Sequence, residues 1–145
     1  MASGAIFARG TLLKLGDGGG TEAFTTIAEV ITLAGPDLTL DVIDVTSHDS
    51  ANGARERIGG LLDVGQVTAT INFIPTNATH NFTSGLIHDM LNRTKRDFQI
   101  VFPNGATTTW AFTALVNKFS PKEEIAKQLT ADITLMGTGY PTLAG

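Results

Sequence analysis

Gln66-Val67-Thr68-Ala69-Thr70-Ile71-Asn72-Phe73 alternates polar and apolar residues without interruption. Successive side chains of an extended strand point to opposite faces, so Val67, Ala69, Ile71 and Phe73 share one face and Gln66, Thr68, Thr70 and Asn72 the other. That is the pattern of an antiparallel strand with a core on one side and water on the other. It recurs near the end of the chain, where Ile125, Leu129, Ala131, Ile133 and Leu135 alternate with Gln128, Thr130, Asp132 and Thr134. Residues 107–119 place Trp110, Phe112, Ala114 and Val116 on one side and Thr109, Thr113 and Asn117 on the other. Residues 98–102 precede them across Pro103-Asn104-Gly105, and Asn-Gly between apolar runs is a hairpin signal because both residues tolerate positive φ.

Two further elements complete the reading. Residues 27–33 and 38–45, separated by Ala34-Gly35-Pro36-Asp37, form an early hairpin candidate. Within the second run Leu38, Leu40 and Val42 give way to Ile43 and Val45, a switch of side that predicts a bulge near Val42. One helix is predicted over residues 79–93, about four turns, from Phe82, Leu86 and Met90 with Ile87 and Leu91 beside them. Strands, one helix and more strands, without βαβ alternation, predict a mainly β (α+β) fold: an antiparallel β-sandwich or barrel-like core with one flanking helix.

Composition agrees with strands and turns, since 21 threonines and 16 glycines stand among few runs of strong helix formers. At 145 residues one domain is expected, and 42% hydrophobic against 17% charged residues excludes general disorder. The net charge of -4 disfavours a protein that grips duplex phosphates. No apolar stretch approaches the roughly 18 residues of a spanning helix, the first ten residues carry no export signal, and no membrane partner is expected. With no cysteine there is neither a disulfide nor a zinc-thiolate site.

No catalytic constellation stands out. Gly16-Asp17-Gly18-Gly19-Gly20 lacks the Lys-Ser/Thr ending of a phosphate-binding loop and reads as a hairpin tip. His48, His80 and His88 have no metal-ligand spacing, and the adjacent Ser47, His48 and Asp49 cannot converge as a triad. Arg93, Lys95 and Arg96 follow the helix pattern, where cations complement its carbonyl end. No enzyme activity, cofactor or metal is expected. The exceptional stretch is residues 46–60, fifteen mostly polar or small residues between patterned strands. A loop of that length in a compact domain is usually functional.

Several runs, in order, resemble one family. Asp44-Val45-Thr46-Ser47-His48-Asp49-Ser50, Arg55-Glu56-Arg57-Ile58-Gly59-Gly60-Leu61, Asp63-Val64-Gly65-Gln66-Val67-Thr68 and residues 75–80 are similar to the tail tube proteins (major tail proteins) of long-tailed bacteriophages. So are Phe98-Gln99-Ile100-Val101-Phe102-Pro103-Asn104-Gly105, Trp110-Ala111-Phe112 and a closing strand ending in Gly137. The resemblance spans roughly residues 25–140, and residues 1–20 carry no family motif.

It implies a single tail-tube domain over residues 1–145, with no C-terminal immunoglobulin-like domain, whose subunits form six-fold rings stacked into a hollow tube for DNA. The inter-ring loop would be residues 46–60, with Thr46, Ser47, His48, Asp49, Ser50, Arg55, Glu56 and Arg57 as contacts. The polar strand faces Thr68, Thr70, Asn72 and Thr130, Asp132, Thr134 are candidates for the lumen wall. Implied partners are further copies of the chain and tape-measure, tail-tip and tail-terminator proteins. DNA would pass without specific binding, in a virion tail synthesised and assembled in the host cytoplasm. The alternative is a monomeric β-sandwich binding module of a larger particle.

Overall fold

The computed structural model describes residues 4–17, 23–105 and 107–144. Among the described residues nine strands and one short helix follow one another: β1 Leu12–Gly16, β2 Phe24–Thr26, β3 Val30–Ala34, β4 Thr39–Asp44, β5 Arg57–Asp63, β6 Gln66–Asn72, α1 Leu86–Leu91, β7 Arg96–Val101, β8 Thr109–Lys122 and β9 Thr130–Ala144. Seven strands make one antiparallel sheet in the order β2-β1-β7-β8-β9-β6-β3, and β4 and β5 pair only with each other.

The period-2 segments form the centre of this sheet, except that Ile125, expected on the apolar side of the last one, lies fully exposed in the turn before β9. Strand β6 pairs along its whole length with β9, setting Thr68 opposite Thr134, Thr70 opposite Asp132 and Asn72 opposite Thr130. The apolar partners Val67, Ala69, Ile71, Ala131, Ile133 and Leu135 are buried on the other face. The Asn-Gly hairpin is present as β7–β8, with Phe98 opposite Phe112 and their rings stacked at 5.8 Å. Among the described residues all sixteen buried apolar side chains join one core.

The sheet rolls until its edges nearly meet. Strands β2 and β3 lie at opposite ends of the strand order, yet only residues 27–29 separate them. A chain rising at most about 3.6 Å per residue can bridge only a short gap. The bridge is tied on both sides: Ile27 N–H donates to Leu13 of β1, and Glu29 O accepts from Asn72 of β6, each at 2.9 Å. Thr79 Oγ1 accepts from Ala28 N–H at 3.2 Å, while the buried His80 ring accepts from Ile74 N–H at Nδ1 (3.2 Å) and lies 2.9 Å from Ala28 O at Nε2. Since Nδ1 accepts, Nε2 carries the ring proton. The mainly β, antiparallel class is as expected, and among the described residues β2 and β3 do not pair to close a barrel.

Four local expectations are corrected. The helix is six residues, not the fifteen of 79–93. Asn77 and Asn81 turn their carboxamides onto the backbone N–H groups of Thr79, Ser84 and Gly85, an alternative to helical bonding. Gly85 then packs so tightly that a Cβ there would lie 2.4 Å from Asn81 N. The early hairpin of 27–33 with 38–45 does not form: β3 pairs with β6, and β4 with β5. The last strand does not end at Gly137 but runs to Ala144. Residues 46–60 are not structureless, because β5 begins at Arg57 and a 3₁₀ turn spans Ala51–Gly53.

The expected bulge is present as a register shift between Leu40 and Val42. The N-terminal residues 1–20 contain β1, and Gly18, Gly19 and Gly20 lie outside the described residues.

Beneath α1 the Asp89 carboxylate is buried, and desolvation pushes its pKa up despite Arg96 Nη2 at 3.1 Å. Arg96 also donates to Gly16 O at 2.8 Å, clasping helix to β1. The helix end is capped by Asn92 Nδ2 on His88 O rather than by a cation.

Candidate assembly surfaces

The β4–β5 arm is apolar and uncovered. Leu40, Val42, Ile43, Ile58, Leu61 and Leu62 are all exposed, Leu61 by 80%. Val42 and Ile43 are neighbours in a strand, as are Leu61 and Leu62, so both faces of the arm carry large apolar groups. Clustered exposure of this kind marks an interaction surface.

The arm is nevertheless held firmly at its base. Val64 is buried against Gly137 of β9, where a Cβ would fall 2.6 Å from Val64 Cγ1. Gly137 N–H donates to Gly65 O at 2.7 Å. Gly65 itself has φ +74, and a Cβ there would strike Asp37 O at 2.2 Å, so only glycine fits the exit.

At the free end, residues 44–57 fold into a polar knot. Asp44 Oδ1 accepts from Thr46 N–H (2.9 Å) and Thr46 Oγ1 (2.5 Å), and Asp44 Oδ2 from Arg55 at 3.1 Å. The hydrogen bonds from Thr46, and then Arg55, hold the Asp44 pKa below the ordinary carboxylate value. Ser50 Oγ donates to Glu56 Oε2 at 2.7 Å and accepts from Ser47 N–H at 2.9 Å. Thr46, Ser47, Asp49, Ser50, Arg55 and Glu56 are thus brought together, and His48 and Arg57 share this exposed end.

The polar wall is assembled as well. Thr68, Thr70, Asn72, Thr130, Asp132 and Thr134 line one face of β6–β9 as three cross-strand pairs, with Thr70 Oγ1 on Asp132 Oδ1 at 2.9 Å. Strand β8 extends this face with Lys118 opposite Thr134, Ser120 opposite Asp132 and Lys122 opposite Thr130. Lys122 Nζ lies 2.8 Å from Asp132 Oδ2. The pair and the Thr70 bond hold the Asp132 pKa down, and Asp132 raises that of Lys122.

The lambda phage tail tube protein family model matches residues 14–144. The chain belongs to that family. It is a structural tail tube subunit. Comparison with curated protein sequences returns no match. Among solved structures, this tail tube subunit is similar to the tail of an empty gene transfer agent particle refined with C6 symmetry (TM-score 0.77, 18% identity, 97% of this chain and 100% of that one). It is similar also to a chain of an extracellular contractile injection system, PVC, in its sheath/tube terminator (TM-score 0.71, 16% identity, 100% of both chains). The SPP1 tail tube gives a TM-score of 0.70 at 11% identity over 97% of this chain and 80% of that one. At such identities these likenesses concern the fold.

Sequence reasoning about the tail tube subunit missed two things. Lys118 and Lys122 share the polar wall because a bulge between Val116 and Lys118 shifts the register of β8, and alternation alone does not show that. The arm is not legible as one unit, because residues 38–45 read as a strand paired with 27–33 and residues 46–60 as a polar loop, while its apolar strands resemble core strands. Among the described residues no helix is long and apolar enough to cross a membrane.

Proposed function

We propose that this chain self-associates into six-fold rings that stack into the hollow tube of a virion tail, through which DNA is delivered. The observation that carries the reading is the β4–β5 arm, rigidly based at Val64 and Gly137 yet apolar on both faces, which only another chain can cover. Its tip, with Thr46, Ser47, His48, Asp49, Ser50, Arg55, Glu56 and Arg57, contacts the neighbouring ring. The β6–β9 wall lines the lumen with threonine hydroxyls. Asp132 neutralises Lys122 there, which limits the attraction that free cations exert on phosphates. Tape-measure, tail-tip and tail-terminator proteins are the partners at the tube's interior and ends, and the role is structural, without catalysis.

Negative-stain electron microscopy with light scattering on concentrated protein tests the proposal: rings or hollow tubes are expected. A monomer at every concentration, also after addition of a tail-tip extract, would favour a binding module of a larger particle. In assembled particles Thr134→Lys is expected to leave tube formation intact and slow DNA ejection. Unchanged ejection would remove β6–β9 from the lumen.

A further inference from the structure

We infer that the closed turn of the β8–β9 hairpin on one copy seats in the apolar groove at the open end of that hairpin on the next copy. This deepens the tube reading and rests on it. Strands β8 and β9 pair from Lys122 with Thr130 at one end to Thr109 with Ala144 at the other. Fourteen residues of strand rising about 3.3 Å each make this hairpin about 45 Å long, the longest feature of the subunit. Its two ends are unlike in a complementary way.

At the closed end Ile125 is 100% exposed, a large aliphatic side chain held at the tip of a turn. Glu123 and Glu124 precede it. Glu124 is paired with Lys127 at 3.2 Å, whereas Glu123 has no ion-pair partner among the described residues. At the open end Trp110 sits opposite Leu143 and both line a groove of about 890 Å³, with Ile6, Ile31 and Phe102. Leu143 is uncovered, and Arg9 on the groove wall has no ion-pair partner among the described residues.

An aliphatic knob with a free carboxylate therefore faces one way, and an apolar groove with a free guanidinium faces the other. The two cannot meet within a chain, because the hairpin that bears both keeps them a strand length apart. A contact between unlike ends of identical chains is heterologous, and when it does not close on itself it propagates as a filament. The occupant of the groove is thus a second copy of this chain, and Glu123 approaches Arg9 as Ile125 enters beside Trp110 and Leu143.

The absence of native cysteine permits a clean test. The double variant Ile125→Cys with Leu143→Cys, assembled and treated with a short bis-maleimide, is expected to give a ladder of subunit multiples on a denaturing gel. The pair cannot link within one chain, and each single variant stops at dimers. The competing occupant is the arm, probed by Asn52→Cys with Leu143→Cys. A ladder from that pair alone, or normal tubes with neither ladder, overturns the seating while leaving the tube reading in place. Failure of the unmodified chain to form any assembly overturns both. Independently, Ile125→Asp is expected to reduce tube length at least tenfold with no change in subunit Tm, since Ile125 touches nothing in the subunit. Tubes of normal length from this variant overturn the proposal.

Discussion

Two antiparallel pairs in this molecule use similar residues to opposite ends. Strands β6 and β9 turn Val67, Ile71, Ile133 and Leu135 into the core and leave threonines outside. Strands β4 and β5 turn Leu40, Val42, Ile43, Ile58, Leu61 and Leu62 into solvent. A two-stranded hairpin in water is marginal at best. The contrast teaches that the core of the subunit is complete without the arm, and that on the proposed reading the arm's apolar surface belongs energetically to the assembly. Stability of the monomer and ability to assemble should accordingly be separable by mutation.

The largest separation is expected from replacing residues 38–62 with a short Gly-Ser turn: tubes should vanish altogether while the melting temperature stays within a few degrees. Tubes from that variant, seen by electron microscopy, would assign the arm some other task. Ile71→Ala tests the other half. Removing a wholly buried side chain should cost about 2–5 kcal/mol in urea denaturation, with arm function retained in whatever fraction stays folded.

Gly137→Ala probes the joint between the two regions. The added Cβ meets Val64 at 2.6 Å, so a loss of about 1–3 kcal/mol is expected, together with a displaced arm. A neutral substitution would mean that the base is not rigid.

The smallest effect concerns the arm tip. The Asp44 pKa is lower folded than unfolded, so the carboxylate's contribution to the tip is present above the ordinary value of 3.8 and is lost as pH falls through the lowered one. The Thr46 amide resonance should titrate with a midpoint below 3.8, and Asp44→Asn should abolish that step. A midpoint at or above 3.8 would break the assignment.

The same contrast explains what could be read from the sequence. Val67 to Phe73 and Leu129 to Leu135 were legible because one face meets the core and the other meets water, which writes a period of two into the chain. The bulge at Val42 was legible from a different signal, the switch of apolar positions from Leu38, Leu40 and Val42 to Ile43 and Val45. Strand partners in the arm were not, because residues apolar on both faces carry no sign of which neighbour they pair with. Helix length was misread from Phe82, which has the right spacing but is 70% exposed, and from asparagines whose side chains compete for the backbone. On the candidate surfaces, the six wall residues share one face of β6–β9, and Lys118 and Lys122 join them through a bulge invisible to simple alternation.

The pairing of β1 with β7 sets a schedule for synthesis. Leu12 finds its partner in Val101, so the β7-facing edge of the first strand waits for about 90 further residues, roughly 4–18 s at usual elongation rates. During that interval β1 has only β2 and Ile27 to hold, and the rolled sheet cannot be completed. Unlike the β7–β8 hairpin, which can zip as it emerges, the subunit acquires its final curvature only late in translation. The arm, between Thr39 and Asp63, is by then already outside the ribosome and uncovered. Early pairing of arms between neighbouring nascent chains is therefore a hazard that grows with the density of ribosomes on the message.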